Sequence, residues 1–210
     1  MARKFAGEML RQRGYDCDIA ITDIPFIEFK TNILRVQDLA DLYAERFIGT
    51  DAADAVYVRF CNMSSTKKLS PALLDKEVAQ VLARTETKNT RKLHLSIVLV
   101  CSEAVPSNVD VLLKNDPRYR DIVQVFTYDS LQFNPTKHDL VPRHEPVPKE
   151  EEAAILALYG CERRNMTKEF PRLPCSDVIA KWLGLRPNTL CKITRVSEQS
   201  GLYSCFRVVV

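Results

Sequence analysis

The sequence predicts an α+β protein of two domains, a layered α/β unit over residues 1–134 and a small α+β unit over residues 135–210 that closes in a β-hairpin. Three observations carry that reading. Strand-like and helix-like stretches alternate over roughly the first 130 residues, as helices laid on a sheet require. The composition then shifts to a connector punctuated by Pro135, Pro142, Pro146 and Pro148, where backbone ladders lose their N–H donors. Beyond it, two helical stretches precede an alternating apolar pattern interrupted between Ser197 and Gly201. With 210 residues and 46% hydrophobic content, the chain can bury two modest cores.

Phe5, Met9 and Leu10 recur at helical spacing, and Gly14 suits the left-handed position that ends a helix. Ile19 and Ile21 alternate with smaller or polar neighbours. Val36, Leu39, Ala40, Tyr43 and Phe47 then share one face of a second amphipathic stretch before Gly49. Val56, Val58 and Phe60 alternate with Tyr57, Arg59 and Cys61, the period of a strand. Ser70 offers an N-cap and Pro71 a first helical residue, opening a helix with Leu74, Val78, Val81 and Leu82 inward. The polar run from Arg84 to Lys92 reads as a loop. Leu93 to Cys101 reads as a central strand, Ser107 with Asp110 as a capping box for a helix through Leu113, and Ile122 to Phe126 as a further strand.

In the second domain few ladders are expected to persist through the prolines. Pro148 suits a helix start, and Glu150, Glu151 and Glu152 sit favourably at the positive end of the helix dipole. Gly160 ends that helix, Asp177 caps the next, and Gly184 stops it. In the terminal hairpin, Leu202, Ser204, Phe206 and Val208 form the face expected to meet the helices, with Phe206 as core, while Tyr203 and Arg207 point the other way.

The net charge of +3 is far from the basic footprint of a self-sufficient DNA-binding domain. Seven scattered cysteines without a Cys-x-x-Cys pair speak against a disulfide framework or zinc knuckle and for reduced thiols inside the cell. Met1-Ala2-Arg3-Lys4 opens no secretory signal, and the longest apolar run, Ile97 to Cys101, suits a buried strand rather than a membrane span. His138 and His144 have no thiolate or carboxylate cluster to complete a tetrahedral metal set. Glu28-Phe29-Lys30 with Asp16, Asp18 and Asp23 matches the carboxylate and lysine pattern of metal-dependent nucleases only in outline, and solvated charge around packed aromatics is its plainer reading. The six isolated glycines form no phosphate loop, and Ser107 reads as a cap rather than a nucleophile. Arg163, Arg164, Lys168 and Arg172 make a basic cluster that suits either a solvated loop or an acidic or phosphate partner.

The order of signals from His138 to Val210 is distinctive. A Pro-bracketed segment, His138-Asp139-Leu140-Val141-Pro142-Arg143-His144, is followed by Phe170-Pro171-Arg172-Leu173, Asp177, and Trp182-Leu183-Gly184-Leu185. Lys192-Ile193, Arg195, Ser197-Glu198, Ser200-Gly201, Tyr203 and Arg207 complete it. This series resembles the fifth shared subunit of the eukaryotic nuclear RNA polymerases, whose C-terminal half corresponds to a small component of the archaeal polymerases. Upstream, Arg13-Gly14-Tyr15 resembles the end of the family's first helix, and Val105-Pro106-Ser107 its Thr-Pro-Ser loop. Three departures stand out: Asp177-Val178 for Asp-Pro, Arg186-Pro187-Asn188 for a Lys-Arg-Gly turn, and Gly201-Leu202-Tyr203 for Gly-Arg-Tyr. They fit either a divergent lineage or a paralogue dedicated to one polymerase class.

The resemblance implies a non-catalytic subunit without cofactor or metal. Its N-terminal domain would be a jaw, similar in fold to restriction endonucleases without their active site, holding Pro106, Ser107 and Asn108 near downstream duplex DNA. Its C-terminal domain would anchor on the largest polymerase subunit, with His138, Pro142, Arg143, His144, Arg172, Asp177, Arg195, Glu198, Gly201, Tyr203 and Arg207 as the interface or its support. Neither a membrane nor a homo-oligomer is implied, and the compartment would be the nucleus, or the nucleolus for a subunit specific to polymerase I. The alternative is a free-standing metal-dependent nuclease or DNA-binding protein that shares the layered fold.

Overall fold

A computed structural model of the chain describes residues 1–18, 41–48, 52–61, 69–86, 92–199 and 201–210. Ile19, Ile21, Asp23, Glu28-Phe29-Lys30, Val36, Leu39, Ala40, Gly49 and Ser200 lie outside the described residues. Met1–Phe133 and Asn134–Val210 form two compact units. Each holds one four-stranded sheet, and among the described residues six α-helices are shared between them, so the chain is mixed α+β.

In the first unit β1 (Leu42–Ile48), β2 (Ala52–Phe60), β3 (Lys92–Cys101) and β4 (Val123–Thr127) lie side by side in that order. β1 is antiparallel to β2, whereas β2, β3 and β4 run parallel. Parallel neighbours need a crossover, and α2 (Pro71–Glu86) and α3 (Ser107–Asn115) supply it. Leu74, Val78 and Val81 of α2 and Val109 of α3 pack against Tyr57, Ile97, Leu99, Val123 and Val125 on one face of the sheet. Residues of opposite parity face the other way, and there Arg13, just past α1 (Ala2–Gln12), donates to Gln124 at 2.8 Å. Gly14 takes φ 82, which a side chain would resist, and a Cβ there would also meet the Arg46 stem at 3.3 Å. Arg46 in turn donates to the Arg13 carbonyl at 3.0 Å, pairs with Asp54 at 2.8 Å and covers the Tyr15 ring. The Arg-Gly-Tyr signal thus ties the end of α1 to β1 and β2.

Several expectations are corrected. Tyr43 and Phe47 stand on a strand rather than a helix; their separation of four suits both periods, and pairing of Leu42 with Val58 and Ala44 with Val56 decides between them. β2 does not alternate in burial, because an interior strand covered on both faces buries Asp54 and Arg59 with its apolar residues. Leu82 is 40% exposed and Thr85 buried, since the inward stripe of α2 runs through positions 74, 78, 81 and 85. Arg84 belongs to this helix, not to a loop, and Lys92 opens β3. Ser107 is no capping box: Pro106 is the N-cap, its carbonyl accepts from Val109 and Asp110 at 3.0 Å, and Asp110 pairs with Lys114 at 2.6 Å. Ser70 does cap α2, accepting from the Leu73 amide at 3.3 Å.

The second unit contains β5 (Arg143–Pro146), α4 (Lys149–Leu158), α5 (Met166–Glu169), β6 (Arg172–Leu173), α6 (Val178–Leu183), β7 (Leu190–Ser197) and β8 (Gly201–Val209). Its sheet runs β5-β7-β8-β6, with β5 and β8 antiparallel to β7 and β6 parallel to β8. Asp177 accepts from the Ile179 and Ala180 amides at 2.9 and 3.2 Å, and Gly184 closes α6 at φ 65. Asn188 has φ 60 where the resembled family has glycine, a conformation asparagine adopts at least cost among larger residues.

The proline connector is more regular than expected. Pro135–Lys137 form a 3₁₀ turn capped by Asn134, and Pro142 and Pro146 bracket an edge strand, where proline costs no ladder bond on its open side. The basic run Arg163 to Lys168 is a 3₁₀ turn and α5 rather than a loop. The hairpin is corrected most. Val208, with Phe206 partly buried beside it, packs with Leu156, Met166 and Phe170 on one face, while Val209, Cys191 and Ile193 pack with Leu173, Ala180 and Leu185 on the other. Both faces are therefore core at the sheet's closed end. At the tip neither is, and Leu202 is 73% exposed.

Candidate functional site

The residues singled out in the second unit separate into three groups. His138 accepts from the Leu140 amide at 3.2 Å, His144 Nδ1 lies 2.7 Å from the Pro142 carbonyl, Asp177 caps α6, and Gly201 takes φ 65 in the hairpin turn. These four shape the backbone. Arg195 and Tyr203 form the second group, brought together on one face by register, whereas Arg143 opposes Thr194 and so stands on the other face. Arg143 is held by Glu145 at 2.6 Å, Tyr203 is 40% exposed, and Glu198 stands exposed in the turn above them. Arg195 is half-buried and its Nε is a buried donor without an acceptor among the described residues. A buried guanidinium N–H without an acceptor is costly.

Arg172 and Arg207 form the third group at the opposite end of the sheet. Arg207 donates to the Arg172 carbonyl at 3.2 Å, and Arg172 Nε reaches the Thr167 carbonyl at 3.4 Å. The basic cluster is partly spent internally: Arg163 pairs with the buried Glu152 at 2.8 Å, and Arg164 pairs with Glu162. Lys168 and Arg172 stay exposed.

Beside them lies a feature that no sequence signal had marked. Tyr159 packs edge-on against Phe170 and Phe206, with ring centroids 5.3 and 5.9 Å apart. Together with Cys161, Glu169, Pro171, Ser204 and Cys205 these rings line a cavity of about 270 Å³. The exposed Leu158-Tyr159 pair at the end of a helix was the available clue.

In the first unit Pro106 is half-buried, while Ser107 and Asn108 are exposed where the chain leaves the carboxyl end of β3 and enters α3. Asn108 is engaged locally through its oxygen, which accepts from the Val109 amide at 3.0 Å. Arg59 sits in a different environment, 2.7 Å from Asp41, 2.9 Å from Glu77 and 3.2 Å from Gln80. Among the described residues no three His, Cys, Asp or Glu side chains converge as a metal set, and all seven cysteines are free. Burial pushes the Cys191 thiol up to about 11, leaving it protonated and unreactive at neutral pH. No helix of the described residues is long and apolar enough to cross a membrane.

Comparison with known proteins adds to this geometry. Residues 133–209 match the family model of the RNA polymerase Rpb5 C-terminal domain. The chain is 28% identical over 216 residues to the DNA-directed RNA polymerases I, II, and III subunit RPABC1 of Caenorhabditis briggsae, covering 99% of this chain and 93% of that protein. The corresponding Dictyostelium discoideum subunit is 27% identical over 160 residues, covering 76% of this chain and 74% of its own. The Arabidopsis thaliana DNA-directed RNA polymerases IV and V subunit 5B is 25% identical over 209 residues, covering 100% of this chain and 88% of its own.

Proposed function

We propose how this chain, which belongs to the Rpb5 family of RNA polymerase subunits, takes its place in a polymerase. It is a non-catalytic structural subunit and assembles with other polymerase subunits, as its relatives' names imply; none of those relatives supports the nuclease alternative. The compartment is the nucleus. The observation that carries the reading is the coincidence of the family match, residues 133–209, with the second compact unit.

The finer assignment follows from what each unit offers. The second unit anchors the chain on the largest subunit, and Arg195 with its unpartnered Nε, beside Tyr203, is the group that such an anchor would satisfy. The first unit serves as the jaw, a restriction-endonuclease-like layer without catalytic function, and presents Ser107 and Asn108 to downstream duplex. That contact is independent of base sequence, since an exposed hydroxyl and an exposed amide side chain at a helix start suit phosphate oxygens. Specialisation for one polymerase class would be read from which largest subunit the chain recovers, and recovery with polymerase I alone would place it in the nucleolus.

Two measurements test this assignment. Arg195→Glu should lower recovery of the full chain in purified polymerase by about tenfold or more, the effect expected of a buried charge reversed against its partner. Wild-type recovery of that variant would remove Arg195 from the interface. A photocrosslinker at Asn108 should capture downstream duplex in an elongation complex and not DNA mixed with the free chain, and an elongation complex without that crosslink would contradict the jaw placement.

A further inference from the structure

β8 is nine residues long, but its two neighbours cover it unequally. β7 pairs with it continuously from Ser197 opposite Gly201 to Leu190 opposite Val208, without a bulge. On its other edge β6 reaches only Val208 and Val209. The hydrogen-bond directions fix which groups are left over. Val208 donates to the Pro171 carbonyl and Val210 to the Leu173 carbonyl, both at 2.9 Å, so even-numbered residues of β8 aim their backbone groups away from β7. Val209 donates toward β7, to the Thr189 carbonyl at 2.9 Å, which confirms the parity. The N–H and C=O groups of Leu202, Ser204 and Phe206 thus form an open row, and among the described residues no strand lies beside it.

Folded proteins protect such rows with charge, proline or a bulge. The segment Gly201-Leu202-Tyr203-Ser204-Cys205-Phe206 has none of the three. The cavity ringed by Tyr159, Phe170 and Phe206 is lined also by Ser204, Cys205 and Pro171, the residue before β6, so an apolar socket adjoins the vacant lane that continues β6. Lys168 and Arg172 are exposed next to Phe170; of the two nearby carboxylates Glu162 is paired with Arg164, which leaves that of Glu169 against them.

We propose that an extended segment of another polymerase subunit adds as a strand to the β8 edge at Leu202–Phe206 and seats one aromatic or long aliphatic side chain in the Tyr159–Phe170–Phe206 socket. Main-chain bonds to Leu202, Ser204 and Phe206 give the affinity, the socket gives the side-chain preference, and the local cations favour a carboxylate next to that side chain. The proposal rests on the reading of this chain as a polymerase subunit.

Ser204→Pro tests it directly, because it deletes one outward N–H while leaving every β7 bond in place. With the tagged full chain, Ser204→Pro should lower recovery of polymerase subunits by about tenfold or more relative to wild type and to Ser204→Ala, which keeps the amide. Its melting temperature should stay near that of the wild type. Equal recovery of Ser204→Pro and wild type would overturn the strand addition while leaving the polymerase reading intact. Failure of wild type itself to recover polymerase subunits would overturn both. If Ser204→Pro does not fold, hydrogen exchange on the wild-type chain decides: amides of residues 201–207 should exchange markedly more slowly in the assembled enzyme than in the free chain, and equal rates would refute the proposal.

Discussion

Arg59 is where single-residue chemistry weighs most in the first unit. Its side chain and that of Asp41 are 7% and 2% exposed, and Glu77 and Gln80 complete the fork. Removing the guanidinium takes the ion pair from Glu77 and leaves Asp41 with Arg84 at 3.6 Å, the Tyr57 hydroxyl and the Phe60 amide, so Arg59→Ala should destabilise the unit by about 3 kcal/mol. A urea midpoint for the variant within error of the wild type would show that water reaches these carboxylates. Phe206 carries a smaller weight than its strand position suggests. It is half-buried against Tyr159, so Phe206→Ala should cost about 2 kcal/mol, below the range for a fully buried ring. Asp177→Ala, which frees two amides, should cost about 1 kcal/mol. Thermal unfolding of the full chain should rank the three variants in that order.

At the scale of elements, what could be read from the sequence was what local chemistry decides. The end of α1 at Gly14, the Ser70-Pro71 start of α2, the Asp177 and Gly184 boundaries of α6, and the turn between β7 and β8 each depend on residues within a few positions of one another. The misread elements depend on distant partners. β1 has a helical spacing that pairing with β2 overrides, and β5 and β6 are short strands defined by β7 and β8 rather than by their own period. The interface candidates divided in the same way: Asp177 and Gly201 proved to be backbone devices, whereas Arg195 and Tyr203 became a pair only through cross-strand register. The open β8 edge had no sequence signature, since it arises from β6 stopping after two residues. A consequence at this scale is that Cys205→Pro, unlike Ser204→Pro, should unfold the second unit, because the Cys205 amide faces β7. Loss of its cooperative melting, with the first unit still folded, would verify the parity assigned to this strand.

For the molecule as a whole, two cores on one chain suit a subunit that is held by one part and positioned by the other. The family match covers the second unit, while the similarity to the relatives extends over the first as well, so the likeness is to a whole subunit rather than to one domain of it. The most direct measurement is affinity purification of the tagged full chain followed by quantitative mass spectrometry, with the free chain assayed for metal-dependent DNA cleavage. Near-equimolar recovery of a polymerase largest subunit and its companions, with no cleavage by the free chain, is the predicted result; recovery of the chain alone, or cleavage by the free chain, would contradict its assignment as a non-catalytic polymerase subunit.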